Sequence, residues 1–305
     1  FVRCRETAVP SPYRYLTPQA VQALGKLPLL AREVVEGFIT GLHTSPFHGF
    51  SVEFAEHRKY TPGDPIRDLD WTAYARTDRY YVKRYREETN LRCRLVLDAS
   101  ASMAFASTDG QSKLAYACGL SACIAYLAIR QRDAVGLTVA RGDGAEDLAP
   151  SARPAHLGRI MERLEALRAG GGPPLAQTFH ETAERMKRRG LVVVLSDLLD
   201  GEEEIMKALR HLKHRRHEAI LFHILDVAEE HLPYRHVSEF VDMETGETLK
   251  VDPQAIRSRY RSEIEAFRQR YRRICSDCAI DYVPVVTEEP VARLLMRYLV
   301  RRSRA

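Results

Sequence analysis

Short apolar runs alternate with segments of helical periodicity from residue 93 to the end of the chain. KLAYACGLSACIAYLAI (113–129) is an almost wholly apolar helix, and Ile256–Ile274 repeats apolar residues at spacings of three and four. The apolar runs predict strands; they are CRLVLD (93–98), AVGLTVA (134–140), LVVVLSD (191–197), EAILFHILD (218–226) and IDYVPVV (280–286). Near-continuous apolar strands separated by helices predict an α/β fold, with a doubly wound, mostly parallel sheet that is covered on both faces.

Residues 1–92 have a different pattern. FSVEFAE (50–56) and RYYVKRYREE (79–88) contain alternating residues, and the turn YTPGD (60–64) lies between them. Alternation punctuated by proline and glycine favours short antiparallel strands. We therefore expect a smaller β-containing module at residues 1–92 and an α/β domain at residues 93–305. The module either packs against that domain, with Trp71 anchoring it on the sheet, or contributes strands to its edge. A hairpin is also predicted within that domain at residues 237–251, turning at Thr245-Gly246.

Composition and charge narrow the function classes. The chain is 45% hydrophobic, but its longest uninterrupted apolar runs are too short to span a membrane. The net charge is +5, and residues 252–305 hold 12 arginines against 7 acidic residues. These arginines have two interpretations, as solvated helix faces or as a basic C-terminus that touches acidic partners or a membrane surface. No motif indicates nucleic-acid binding.

The cysteines indicate a reduced chain. Six cysteines follow no framework spacing, so we expect a cytoplasmic protein without disulfides. The pair Cys275 and Cys278 has a CxxC spacing without a second pair, and we interpret both as ordinary cysteines at a helix end rather than as a zinc or redox site.

The candidate chemistry lies in RLVLDASASM, residues 94–103. This apolar strand ends in Asp98, and Ser100 and Ser102 follow at alternate positions; Asp197 ends the later strand LVVVLSD. In an open α/β sheet, ligands bind outside the carboxyl ends of strands at a switch in strand order. If the two strands are neighbours there, both acids face one crevice. Carboxylates and hydroxyls suit Mg²⁺ or Mn²⁺ rather than zinc.

Other interpretations of the same residues remain. A haloacid-dehalogenase-type phosphatase needs a second acid where this chain has Ser100, and the G-x-S-x-G, G-x-G-x-x-G and P-loop motifs are absent. A structural alternative makes Asp98 and the serines a helix cap and turn. A functional alternative is a metal-dependent phosphohydrolase that uses Asp98 and Asp197.

The motifs resemble a known family. D-x-S-x-S-M after an apolar strand resembles the metal-ion-dependent adhesion site (MIDAS) of von Willebrand factor A domains. RKYTPGDPIRDLDWTAYAR (58–76), VKRYREE (82–88) and VLSDLLD (194–200) further resemble the bacterial DUF58 family. The resemblance implies a von Willebrand A-like fold in which Ser100 and Ser102 bind a cation directly, while Asp98 and Asp197 act through water. The usual threonine ligand is replaced by Pro173, which implies that Mg²⁺ is weakly bound or absent in the isolated chain.

The resemblance also implies a function. Family members are paired with MoxR-type AAA+ ATPases, so we expect a non-enzymatic interaction adaptor that acts with such an ATPase on an unknown client protein. In the segment 60–76, Asp64, Arg67, Asp70 and Arg76 have two interpretations. They form local structural contacts, or they form a surface that a partner recognises.

Overall fold

The computed structural model describes residues 14–16, 20–21, 24, 52–61, 69–87, 91–107, 110–140, 146–170 and 175–303. The strands are β1 (Val52–Lys59), β2 (Tyr81–Glu87), β3 (Arg92–Asp98), β4 (Ala134–Ala140), β5 (Glu146–Ser151), β6 (Leu191–Ser196), β7 (Glu218–Leu225), β8 (Ser238–Val241), β9 (Thr248–Val251) and β10 (Asp281–Val286). The helices are α1 (Trp71–Thr77), α2 (Lys113–Arg130), α3 (Pro154–Ala166), α4 (Leu175–Arg185), α5 (Glu202–His214), α6 (Val227–His231), α7 (Pro253–Asp277) and α8 (Val291–Arg302).

Six strands form the central sheet in the order β10-β7-β6-β3-β4-β5. All neighbours are parallel except β4 and β5, which are antiparallel. The chain adds β4 and β5 on one side of β3, and then places β6, β7 and β10 on the other. The switch in strand order therefore lies between β3 and β6, where Leu97 is opposite Leu195. The predicted doubly wound α/β fold is confirmed, and the two acid-bearing strands are neighbours.

Both faces of the sheet are buried because successive side chains along each strand point to opposite faces. In β3, Leu95 and Leu97 lie in a core that also contains side chains of α2, α3 and α8. Val96 lies in the opposite core, with side chains of α4, α5 and α7. This two-sided burial explains why the parallel strands of the sheet have near-continuous rather than alternating apolar sequences.

Helix α2 is the central helix of the first core. Its N-terminus is capped by Ser112, whose Oγ accepts the Ala115 N–H at 3.1 Å. In the part of the chain described, α2 is the one helix long and apolar enough to cross a membrane, but 72% of it is buried inside this protein. Such burial is typical of the core helix of a globular domain.

The N-terminal strands form their own sheet. β1 and β2 pair antiparallel and are separate from the six-stranded sheet. Leu16 and Leu24, from the same N-terminal region, are buried in the core that contains β3 and α2. The expectation that Trp71 anchors the module on the sheet is wrong, because this first residue of α1 is 57% exposed and makes an edge contact with Tyr74.

The CxxC cysteines are buried core residues. Cys275 is in the last turn of α7, Cys278 is its C-cap, and both are free thiols. Burial raises the pKa of Cys275 to about 12, which disfavours the reactive thiolate. These positions fit the interpretation of two ordinary cysteines at a helix end.

Candidate functional site

Asp98 is the buried acid at the end of β3, and only 4% of its surface is exposed. Its Oδ1 accepts the Ser100 N–H at 2.9 Å, and its Oδ2 accepts the Ser196 hydroxyl at 2.5 Å. Burial, and after it the nearby Asp197, raise the pKa of Asp98 to about 6, although the hydrogen bonds from Ser196 and Ser100 oppose the shift. Asp98 is therefore fixed in place by its neighbours and bears a charge that is costly at neutral pH.

The two serines lie together in the loop that leaves β3. Their Oγ atoms are 3.1 Å apart, as the alternate spacing of Ser100 and Ser102 predicts for side chains on one side of the chain. Ser100 precedes a 3₁₀ turn at Ala101–Ala104, but its hydroxyl makes no capping hydrogen bond there. The serine hydroxyls are thus not used as helix caps, and they form a pair of adjacent oxygens beside Asp98.

Asp197 follows β6 and is 1% exposed. Its Oδ2 accepts a hydrogen bond from Lys113 Nζ at 2.7 Å, and its Oδ1 accepts the Leu199 N–H at 3.2 Å. The second acid of the crevice is therefore neutralised by an ammonium group of the chain itself.

Lys113 forms the centre of a buried ion-pair network. It is the first residue of α2, its side chain is fully buried, and its Nζ also lies 2.6 Å from Glu229 Oε1. Burial alone would lower the pKa of Lys113, but Asp197 and Glu229 together raise it above its ordinary value. Glu229 is in turn held by a capping box at α6, in which it accepts the Asp226 N–H at 2.8 Å. The network joins α2, the loop after β6 and α6.

Sequence reasoning missed four residues of this site: Ser196, Lys113, Glu229 and Glu244. The first three bond to the crevice acids or to each other, and Glu244 Oε1 accepts the Ser102 N–H at 2.9 Å. Only Lys113 has a signal in the sequence. A lysine that opens an otherwise apolar helix meets the positive end of the helix dipole, and that position requires acidic partners.

The second loop of the crevice is described in part. The Gly170 N–H donates to the Ala99 carbonyl at 2.9 Å, so this loop reaches the loop that carries the serines. Pro173, which the resemblance places at the missing threonine ligand, lies outside the described residues.

The segment of residues 60–76 is also described in part. Asp64 and Arg67 lie outside the described residues, Asp70 is 6% exposed, and Arg76 is exposed in the last turn of α1. The Asp70 Oδ1 accepts the Ala73 N–H at 3.0 Å, so this carboxylate caps α1 rather than facing solvent.

The basic C-terminal region contains many internal ion pairs. Arg268 pairs with Glu230, Arg270 with Glu202, Arg272 with Glu265, Arg297 with Glu289 and Arg302 with Asp281. Much of the positive charge on α7 and α8 is thus compensated within the chain.

The donor set of the crevice fits a hard cation in part. Two hydroxyls 3.1 Å apart beside the Asp98 carboxylate are ligands of the type that Mg²⁺ prefers. Asp197, however, is already paired with Lys113. Within the described ranges, no group of three or more His, Cys, Asp or Glu side chains is arranged to hold a metal ion. A cation at this crevice would therefore depend on the serines, on Asp98 and on water.

Replacing Lys113 tests the ion-pair network. We expect Lys113→Met to lower the free energy of unfolding at neutral pH by about 3–5 kcal/mol, because two buried carboxylates lose their counter-charge. Part of the loss should be recovered at acidic pH, where Glu229, whose pKa is raised by burial, takes up a proton. Lys207→Met is the matched control, because Lys207 pairs with Glu204 in solvent. Equal denaturation midpoints for both variants would contradict the assignment.

Replacing Asp98 tests its elevated pKa. Because the folded state raises the pKa of Asp98 to about 6, the stability linked to its proton is fully present below about pH 4 and is lost as the pH rises through 6. We therefore expect Asp98→Asn to be more stable than the parent at pH 8 by about 1–3 kcal/mol, an advantage that disappears near pH 4. Thermal melts with chelator, and Asp277→Asn as an exposed control, measure this. A variant that fails to fold would instead make Asp98 a structural cap.

Comparisons with known proteins identify relatives in sequence and in structure. The chain is 27% identical over 292 residues to "Uncharacterized protein Rv1480" of Mycobacterium tuberculosis, and the alignment covers 94% of this chain and 91% of the relative. Among solved structures, it is similar to the protein BatB of Bacteroides thetaiotaomicron, with a TM-score of 0.47 and 15% identity, over 70% of this chain and 100% of that one. It is also similar to the SpRpn10 VWA domain, with a TM-score of 0.37 and 11% identity, over 68% and 94% of the two chains.

The family is shown by the sequence match and not by these structural likenesses. The family model described as "Protein of unknown function DUF58" matches residues 56–270, which is more than two thirds of the chain and includes Asp98, the serine pair, Lys113, Asp197 and Glu229. The chain therefore belongs to the DUF58 family.

Proposed function

We propose that this protein is a non-enzymatic interaction adaptor that docks a partner protein at the crevice between β3 and β6. The observation that carries the proposal is the serine pair, which lies at the switch point of the sheet and is not used for capping. Open α/β sheets bind their ligands at this place. The crevice also borders a groove of about 400 Å³ that Leu199 and Met243 line, and these side chains are 56% and 43% exposed. Exposed apolar surface beside polar groups is typical of a protein-binding site.

The state of the two acids favours docking over catalysis. Each carboxylate oxygen of Asp98 and Asp197 accepts a hydrogen bond from the protein: Ser100 and Ser196 bond the first acid, and Leu199 and Lys113 the second. A general acid or base must exchange its proton with a substrate within hydrogen-bond reach. Carboxylates held on both oxygens are better suited to shaping a rigid binding surface.

A divalent cation takes part in this docking as a weakly held component. Ser100 and Ser102 would bind it directly, and Asp98 would supply the negative charge beside them. When bound, a cation of this kind supplies an open position for an oxygen of the partner. Asp197 contributes little, since Lys113 already neutralises it.

The partner that we propose is a MoxR-type AAA+ ATPase, with which the adaptor acts in the cytoplasm on the maturation or remodelling of a client protein. Support comes from membership of the DUF58 family and from the crevice itself. The exposed arginines of α8, such as Arg301, provide a second surface, which suits acidic partners or an anionic membrane surface.

Metal titration tests the weak cation site. Calorimetry should give millimolar or weaker Mg²⁺ binding for the parent, because water must replace the missing protein ligand. Pro173→Thr restores a hydroxyl at that position and should tighten binding about tenfold, while Pro174→Thr, the control, should leave it unchanged. Tight binding by the parent that neither variant alters would show that other groups complete the shell.

Association with the ATPase tests the docking function. The purified chain should bind a MoxR-type ATPase of the same organism, and the double variant Ser100→Ala with Ser102→Ala should lose most of that binding. Ser258→Ala, an exposed serine of α7, is the control. Generic phosphoesters should show no turnover with Mg²⁺. Turnover that is lost in Asp98→Asn would instead establish the phosphohydrolase alternative.

A further inference from the structure

The β8–β9 hairpin carries an acidic turn to the crevice. In this turn the Asp242 Oδ1 accepts the N–H groups of Glu244 and Thr245 at 2.8 and 2.9 Å. Gly246 has a φ of +74°, a left-handed conformation that glycine adopts without strain. The turn is therefore built by its own residues, and its shape does not depend on the crevice.

A long-range hydrogen bond joins the tip of this turn to the crevice. The Glu244 Oε1 accepts the backbone N–H of Ser102 at 2.9 Å, although the two residues are 142 positions apart. Ser102 belongs to the serine pair of the docking site. A carboxylate of the chain itself thus lies on the backbone N–H of a residue whose hydroxyl belongs to the proposed docking site.

The surroundings of this contact are only half closed. The groove between the hairpin and the domain is lined by Phe105, Leu199, Tyr234, Phe240, Met243 and Leu249. Leu199 and Leu249 are 56% and 65% exposed, so the hairpin covers the crevice without burying the apolar side chains around it. Surface of this kind remains available to a partner.

We expect the hairpin to be displaced at low cost. Its strands have four residues each, and an isolated two-stranded hairpin is marginally stable in water. The Glu244–Ser102 hydrogen bond is exposed, so water competes for both of its partners. Among the described residues, lifting the turn breaks one hydrogen bond to the crevice, and the buried ion-pair network of Lys113 stays intact.

We infer that the β8–β9 hairpin is a displaceable segment, called the strap below. Glu244 occupies the acceptor position on the Ser102 N–H, called the seat below, and an acidic side chain of the partner takes this position when the strap is displaced. The inference rests on the proposed docking function. The carboxylate of Glu244 in the seat indicates that the partner's group there is acidic, and the half-exposed apolar groove indicates that apolar side chains lie beside that group. The partner presents an extended segment with an Asp or Glu next to apolar side chains.

The first experiment tests the contact in the full chain alone. Hydrogen exchange of the Ser102 amide, followed by NMR, should be about fivefold or more faster in Glu244→Ala than in the parent, since the amide loses its acceptor. Glu247→Ala is the matched control, because Glu247 is an exposed residue of the same hairpin whose hydrogen bonds use its backbone: its N–H donates to Thr245 Oγ1, and its carbonyl accepts the Asp242 N–H. Equal exchange in the parent and both variants would overturn the strap.

The second experiment tests the seat with a defined probe. The probe is a labelled peptide with the sequence of residues 238–251, compared with the same peptide carrying Glu244→Gln. If the strap fills the seat most of the time, the Glu244→Ala protein should bind the acidic probe about five- to tenfold more tightly than the parent protein does. The same variant should bind the amide probe more weakly than it binds the acidic probe. Equal binding of both probes by all proteins, or none at all, would contradict an acidic seat.

The ATPase experiment separates this inference from the proposed function. Enhanced ATPase binding by Glu244→Ala over the parent and Glu247→Ala supports the strap. Binding that requires the serines but is identical in all three proteins would overturn the strap and leave the docking function standing. If Glu244→Ala does not change binding of the acidic probe, and the ATPase does not bind the parent chain, both the strap and the docking function are overturned.

Discussion

The buried ion pair between Lys113 and Asp197 is the interaction on which the crevice depends. It places an ammonium group with no solvent exposure at the positive end of α2, and this is tolerable only because Asp197 and Glu229 supply two carboxylates within hydrogen-bond distance. The three residues come from α2, from the loop after β6 and from α6. Their mutual requirement fixes the distance between those elements, and thereby the mouth of the crevice.

The same pair divides the two acids into different roles. Asp197 is neutralised inside the protein by Lys113, whereas Asp98 accepts its hydrogen bonds from Ser196 and Ser100, neither of which carries a charge. Burial and the neighbouring acid both raise the pKa of Asp98, so its charge is the unsatisfied one. Any cation that enters gains most by lying beside Asp98 and the serine hydroxyls, because Lys113 already meets the need of Asp197.

Much of this fold is predictable from the sequence because its determinants are local. The continuous apolar runs predict the parallel strands, and the acid at the end of two of them predicts the crevice once the strands are known to be neighbours. The antiparallel strand β5 was not predicted, since EDLAPS has neither a continuous apolar run nor a clear alternation. The expectation that Trp71 is buried against the sheet was wrong, because an aromatic residue in a short helix does not indicate which face of that helix other elements cover.

The parts of the site that escaped prediction are long-range. Lys113 and Asp197 are 84 positions apart, Lys113 and Glu229 are 116 apart, and Ser102 and Glu244 are 142 apart. Spacing in sequence therefore does not indicate which of these residues meet; only the order of strands and helices in space brings them together.

That order also explains the position of the β8–β9 hairpin. It is inserted between α6, which holds Glu229, and α7, so the element that anchors Lys113 also sets where the strap begins. The chain thus passes at α6 from a buried ion-pair network to an exposed hairpin, and the strap that we infer can be displaced without breaking that network.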